Sequence, residues 1–128
     1  MPSPADPRCQ PSRPQSSLAE HSRCYQRLRR RCGNGLSLLR AGPPVQATMA
    51  QAYDALRARG CDIGTALRVV RQLVMERLIQ LDCDAQAPLA DITRAVTELA
   101  ELALDRACQQ VRQELDERHG APRGPDGQ

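Results

Sequence analysis

The chain has 128 residues, enough for one domain, and it contains no Phe, no Trp and only two tyrosines, Tyr25 and Tyr53. A core must therefore be built from Leu, Val, Ile, Met and Ala, without the ~150–250 Å² that each large aromatic side chain can bury. The net charge of +3 divides into +6 over residues 1–40 and −3 over residues 45–119, and all eighteen basic residues are Arg, which reads as the compositional bias of a GC-rich genome.

Residues 1–16 form a Pro, Ser and Arg tail, expected to be disordered. The first seventeen residues hold no apolar h-region, so no signal peptide is predicted, and no stretch approaches the ~20 apolar residues of a membrane span. The expected compartment is the cytoplasm, with the six cysteines (9, 24, 32, 61, 83 and 108) reduced.

Residues 17–40 read as a short basic helix and a loop. Ser17-Leu18-Ala19-Glu20 matches a capping box and predicts a helix to about Arg31, broken at Gly33-Asn34-Gly35. Leu36–Leu39 is too short to classify, and Ala41-Gly42-Pro43-Pro44 is a turn or linker. Residues 44–120 read as a helical segment. Val45, Met49, Ala52, Tyr53 and Leu56 mark one helix, stopped at Gly60. Asp62 or Thr65 caps the next, whose apolar set is Leu67, Val70, Leu73, Val74, Leu78 and Leu81. Residues 82–86 are a loop, and 121–128 a polar tail.

A long helix is predicted from Ala87 to Arg118. Pro88 suits the first helical position, and Gly120 with Pro122 forms a stop. Between them Leu89, Ile92, Val96, Leu99, Ala103, Ala107, Val111 and Leu115 recur at steps of three and four. Such a helix is roughly 45 Å long, well beyond the ~25 Å diameter of a 100-residue domain. It must project or be covered by a partner, and Leu102 and Leu104 widen its stripe. The predicted class is all-α: antiparallel helical hairpins or an open bundle with one long C-terminal helix.

Candidate chemistry is thin. Asp82-Cys83-Asp84 is short of an EF-hand loop and reads as a solvated turn. The cysteines form no C-x-x-C pair, and His21 and His119 make no ligand pattern with them. Cys83 and Cys108 are conceivable redox thiols, but Cys108 is expected as a small buried apolar group. His119 complements a helix C-terminus. Glu98 with Glu101, and Glu114 with Glu117, sit beside Arg94, Arg106, Arg112 and Arg118 at helical spacing, as on a solvated charged face. Arg27, Arg29, Arg30 and Arg31 offer a phosphate grip, with only Tyr25 as an aromatic companion. No residue is singled out as catalytic, cofactor-binding or metal-ligating.

The order of several short strings goes further. Leu67-Arg68-Val69-Val70-Arg71-Gln72, Leu78-Ile79-Gln80-Leu81-Asp82, Ala87-Pro88-Leu89, Val96 to Ala103, and Glu114-Leu115 to Pro122 together resemble glutamine synthetase adenylyltransferase. The resemblance covers roughly residues 45–127, more weakly His21 to Leu39, and is to the helical segment before a nucleotidyltransferase core. It implies an enzyme that attaches AMP to a tyrosine of glutamine synthetase and removes it. It further implies use of ATP, phosphate and divalent metal such as Mg, under control of a nitrogen-signalling protein and glutamine. In that family the His-Gly-x-Pro stop is followed by a G-K-L-G-G turn and an S-D-I-D-L metal-binding strand, which this chain does not contain.

No catalytic residue carries over. The leading expectation is a truncated piece of the enzyme's first, adenylyl-removing half, inactive alone, whose partners are the missing core or glutamine synthetase. The alternatives are a stand-alone helical interaction module that self-associates through the long helix, and Arg-mediated nucleic-acid binding.

Overall fold

The computed structural model describes residues 17–32 and 35–125. The expected disordered tail at 1–16, Cys9, the break at Gly33-Asn34 and the last residues of the polar tail lie outside the described residues. A 3-10 turn (Leu18–His21) leads into α1 (Arg23–Cys32). A second 3-10 turn (Leu36–Leu38) precedes α2 (Gln46–Ala58), α3 (Ile63–Cys83) and α4 (Leu89–His119). No strand occurs among the described residues, and the fold is all-α.

α3 is the centre. It touches the first 3-10 turn, α1, α2 and α4, and α2 also touches α4. Its predicted apolar set is the one used: Val70, Leu73, Val74 and Leu78 are buried, with Leu67 and Leu81 packed at the margin. From α2, Met49, Ala52, Tyr53 and Leu56 meet them. Met49, Leu73, Val70 and Val74 are the largest fully buried side chains, so an aliphatic core does form here without Phe or Trp.

The local stop and start signals act as their chemistry requires. Asp62 caps α3, accepting from the Thr65 N–H at 2.6 Å. α2 ends in a Schellman motif: Cys61 N–H donates to the Leu56 carbonyl at 3.2 Å and Gly60 N–H to Arg57 at 3.0 Å. Gly60 sits between them at φ 90, a conformation that Cβ-bearing residues resist. Gly120 ends α4 at φ 77, ψ 157, a region open in practice to glycine alone.

Three local expectations are corrected. The predicted helix from Ser17 is two pieces, because Ser22 is extended at φ −76, ψ 119. The Ser17 side chain makes no cap bond to its own turn. The Ser22 hydroxyl accepts from the Tyr25 N–H at 3.3 Å and starts α1 instead. Pro88 lies just outside α4, at φ −56, ψ 140, and its carbonyl accepts the first helical bonds. The core-facing stripe of α4 is not the full predicted set: Ala95 and Leu102 are buried with Ile92 and Leu99 beside them. Leu89, Val96, Val111 and Leu115 are exposed. Leu102, read from the sequence as a flanking residue, is the one α4 leucine that is fully inside.

Candidate functional site

Two residues that sequence reading placed on a solvated turn or face, Asp84 and Glu98, tie turn or helix starts to distant parts of the molecule. Asp84, at the end of α3, accepts the Ser17 hydroxyl at 2.5 Å and the Ala19 N–H at 3.1 Å. It thus caps a turn 67 residues away in the chain. Those two bonds, the hydroxyl's first, hold the Asp84 carboxyl below the usual carboxylate range. Glu98 of α4 accepts the Gln46 N–H at 2.8 Å, satisfying an orphan donor at the start of α2. Asp62 does the same locally, and the Thr65 N–H keeps its carboxyl below the ordinary value. These carboxylates lie at three different helix or turn starts and serve backbone N–H groups.

Two polar features, one buried and one partly exposed, were not singled out from the sequence. Glu76 is buried on α3 and shares a hydrogen bond with Tyr25, itself only 2% exposed. Burial, and then the Glu76 charge, push the Tyr25 phenol above its ordinary range. Arg77, the next residue, donates to the carbonyls of Arg40 at 3.0 Å and Gly42 at 2.9 Å. It fastens the irregular 39–42 turn onto α3 by satisfying its carbonyls. Apolar spacing gave no sign of Glu76: it is three residues from Leu73 but about 200° round the helix from Val74 and Leu78, on the side that meets Tyr25 of α1.

The remaining candidates stay apart. Cys24 and Cys108 are exposed free thiols, and Cys61 and Cys83 are partly buried free thiols. Cys108 is thus exposed and not the buried apolar group expected of it. Among the described residues no group of three or more His, Cys, Asp and Glu could hold a metal ion. His119 lies exposed in the last turn of α4. Glu114 and Glu117 accept from the amides of Gln110 at 2.7 Å and Gln113 at 3.2 Å, in place of the expected Arg partners. Arg29 donates to the Tyr25 hydroxyl at 3.3 Å and lies 5.6 Å from the ring centroid. With its ring buried, Tyr25 is not a platform on which a base could stack. On α4, Arg106 lies over the Tyr53 ring at 5.4 Å; its Nε is buried without a hydrogen-bond partner among the described residues.

What the fold presents outward is apolar surface. A groove of about 540 Å³ between α3 and α4 is lined by Leu67, Met75, Val96, Leu99, Ala100 and Ala103, with Arg68 and Arg71 on the α3 side. Beyond it α4 runs on alone, with Leu104 66%, Val111 54% and Leu115 50% exposed. No helix is long and apolar enough to cross a membrane among the described residues. Exposed apolar surface of this kind is suited to docking on other surfaces.

Fold and surfaces together describe an all-α protein with outward apolar faces. Over 94 aligned residues, 69% of this chain, it is 32% identical to the bifunctional glutamine synthetase adenylyltransferase/adenylyl-removing enzyme of Burkholderia mallei (strain ATCC 23344). The same identity and coverage hold for the enzyme of that name from Burkholderia pseudomallei (strain K96243). The chain spans 10% of the length of these curated relatives. No protein-family model matches the chain, and no solved structure matches it. The similarity supports a distant, partial relation to the adenylyltransferase family.

Proposed function

We propose that this chain is the helical segment that precedes a nucleotidyltransferase core in an enzyme that adds AMP to glutamine synthetase and removes it. Its role in that enzyme is structural. The observation that carries the reading is the 32% identity over 94 residues to the two Burkholderia enzymes. The site supports the structural role. Phosphoryl and nucleotidyl transfer call for carboxylates converging on divalent metal, whereas Asp62, Asp84 and Glu98 each hold backbone donors at separate helix or turn starts. The groove between α3 and α4 supplies an apolar seat of the kind a neighbouring domain packs on.

The test is to assay AMP release from adenylylated glutamine synthetase by the nucleotidyltransferase core of the Burkholderia mallei relative, made without the helices that align with this chain. The chain alone should release no AMP, and adding it should raise the rate of the isolated core. Release of AMP by the chain alone, or a core whose rate the chain leaves unchanged, would overturn the reading.

A further inference from the structure

We infer that the solvent face of the second half of α4 is a self-complementary surface on which a second copy of this chain docks, antiparallel, helix against helix. The inference goes beyond the proposed adenylyltransferase relation and does not rest on it. Glu101, Leu104, Cys108, Val111, Leu115 and Arg118 follow one another at steps of three, four, three, four and three. That is the spacing of a coiled-coil seam. The seam points away from the chain's own bundle: Leu102 faces α2 and α3, and Leu104, two residues on, lies about 200° further round the helix. Leu104, Cys108, Val111 and Leu115 are all exposed, as are Glu101 and Arg118. The bundle-side positions beyond Leu102, Gln110, Gln113 and Glu117 among them, are polar. Among the described residues, the chain's own fold therefore does not cover the seam.

Charge selects the occupant. Laid antiparallel against a copy of itself, the seam sets Leu104 opposite Leu115, and Cys108 opposite Val111. At each end Glu101 of one chain meets Arg118 of the other. On one flank Asp105 and Arg112, seven residues apart and so at the same heptad position, meet as a second opposite-charge pair on each side of the twofold axis. A parallel pairing would set Glu101 beside Glu101 and Arg118 beside Arg118. Among the described residues of a single chain, Glu101, Arg112 and Arg118 have no ion-pair partner, so these charges are available to a second chain. The overlap, from 101 to 118, is about 27 Å long.

Sedimentation equilibrium of the full chain tests this, over a range reaching about 0.5 mM because the contact is smaller than the ~800 Å² per partner of a standard interface. The mass should rise from one chain toward two. Glu101→Arg and Arg118→Glu should each weaken association by about tenfold or more, since each sets like charges at both ends of the seam. Mixing the two variants should restore association as a heterodimer, because Arg at 101 then meets Glu at 118 and Arg118 meets Glu101. Both side chains are exposed, and circular dichroism of each variant verifies that the fold is kept. A one-chain mass at every concentration overturns the inference. So does association that both reversals leave unchanged, a mixture that fails to restore pairing, or a chain that stays monomeric and has this face covered only by an added nucleotidyltransferase core.

Discussion

From Leu89 to Leu102, α4 lies along α2 and α3, buries Ala95 and Leu102, and lends Glu98 to the start of α2. From Ala103 to His119 the same helix leaves Leu104, Val111 and Leu115 at least half exposed. Both halves carry apolar residues at steps of three and four. The contrast teaches that such periodicity states which side chains share a face, and not whether anything covers that face. It also separates two sources of helicity. The first half is held by packing. The second is held by continuity with the first, by Arg106 over the Tyr53 ring of α2, and by local pairs, Gln109 with Asp105, Gln110 with Glu114, and Gln113 with Glu117. Each such pair contributes roughly 0.2–0.5 kcal/mol, too little to form a helix of this length in isolation.

The contrast is most sharply tested with two leucines two residues apart. Leu102→Ala should lower the unfolding free energy by about 2–4 kcal/mol, because it removes a buried side chain and leaves a cavity. Leu104→Ala should change it by less than about 0.5 kcal/mol. Urea unfolding of both variants, at concentrations where the chain is monomeric, gives the comparison directly. Equal losses would mean that the second half of α4 is packed as tightly as the first.

Polar contacts extend the comparison at smaller scale. On the packed side, Asp84 joins the end of α3 to the turn at 17–21. Its folded pKa is depressed, so its contribution is fully present above the ordinary value of 3.8 and is lost as pH falls through the lower folded value. Asp84→Ala should therefore lower the urea midpoint at pH 7, and the gap to the natural chain should close as the pH is taken below 3.8. A gap that stays constant into acid would show that the carboxylate is not what holds the turn. On the projecting side, Gln110→Ala removes a pair between exposed residues of a single helix. It should cost no more than about 0.5 kcal/mol, and far-ultraviolet circular dichroism should show only slight fraying. A loss of several kcal/mol would reveal a tertiary role for that face.

Much of the fold was legible. α2 and α3 fall where apolar spacing, Asp62 and Gly60 place them, and Gly120 stops α4, because each of these signals acts within four or five residues of its partner. The Ser17 capping box misled for the same reason in reverse. Asp84, 67 residues on from Ser17, accepts both its hydroxyl and the Ala19 N–H that a Ser17 cap would serve, which local sequence cannot reveal. Glu98, bonded to a backbone group 52 residues away, read as one more charge on a wet face. Arg77 likewise gave no local sign that it fastens a turn more than thirty residues earlier.

By itself the sequence determined that the chain is helical, where the long helix stops and, to within two residues, where it starts, and which of its residues lie on common faces. Those are consequences of backbone conformation and of 3.6-residue periodicity. Only the tertiary structure decided which face of α4 is inside, that Leu102 rather than Val96 or Ala103 is its fully buried contact, and that Asp84 and Glu98 cap distant elements. Burial and long-range hydrogen bonds depend on which surfaces meet, and that is settled by packing around α3, not by the spacing of residues along one helix.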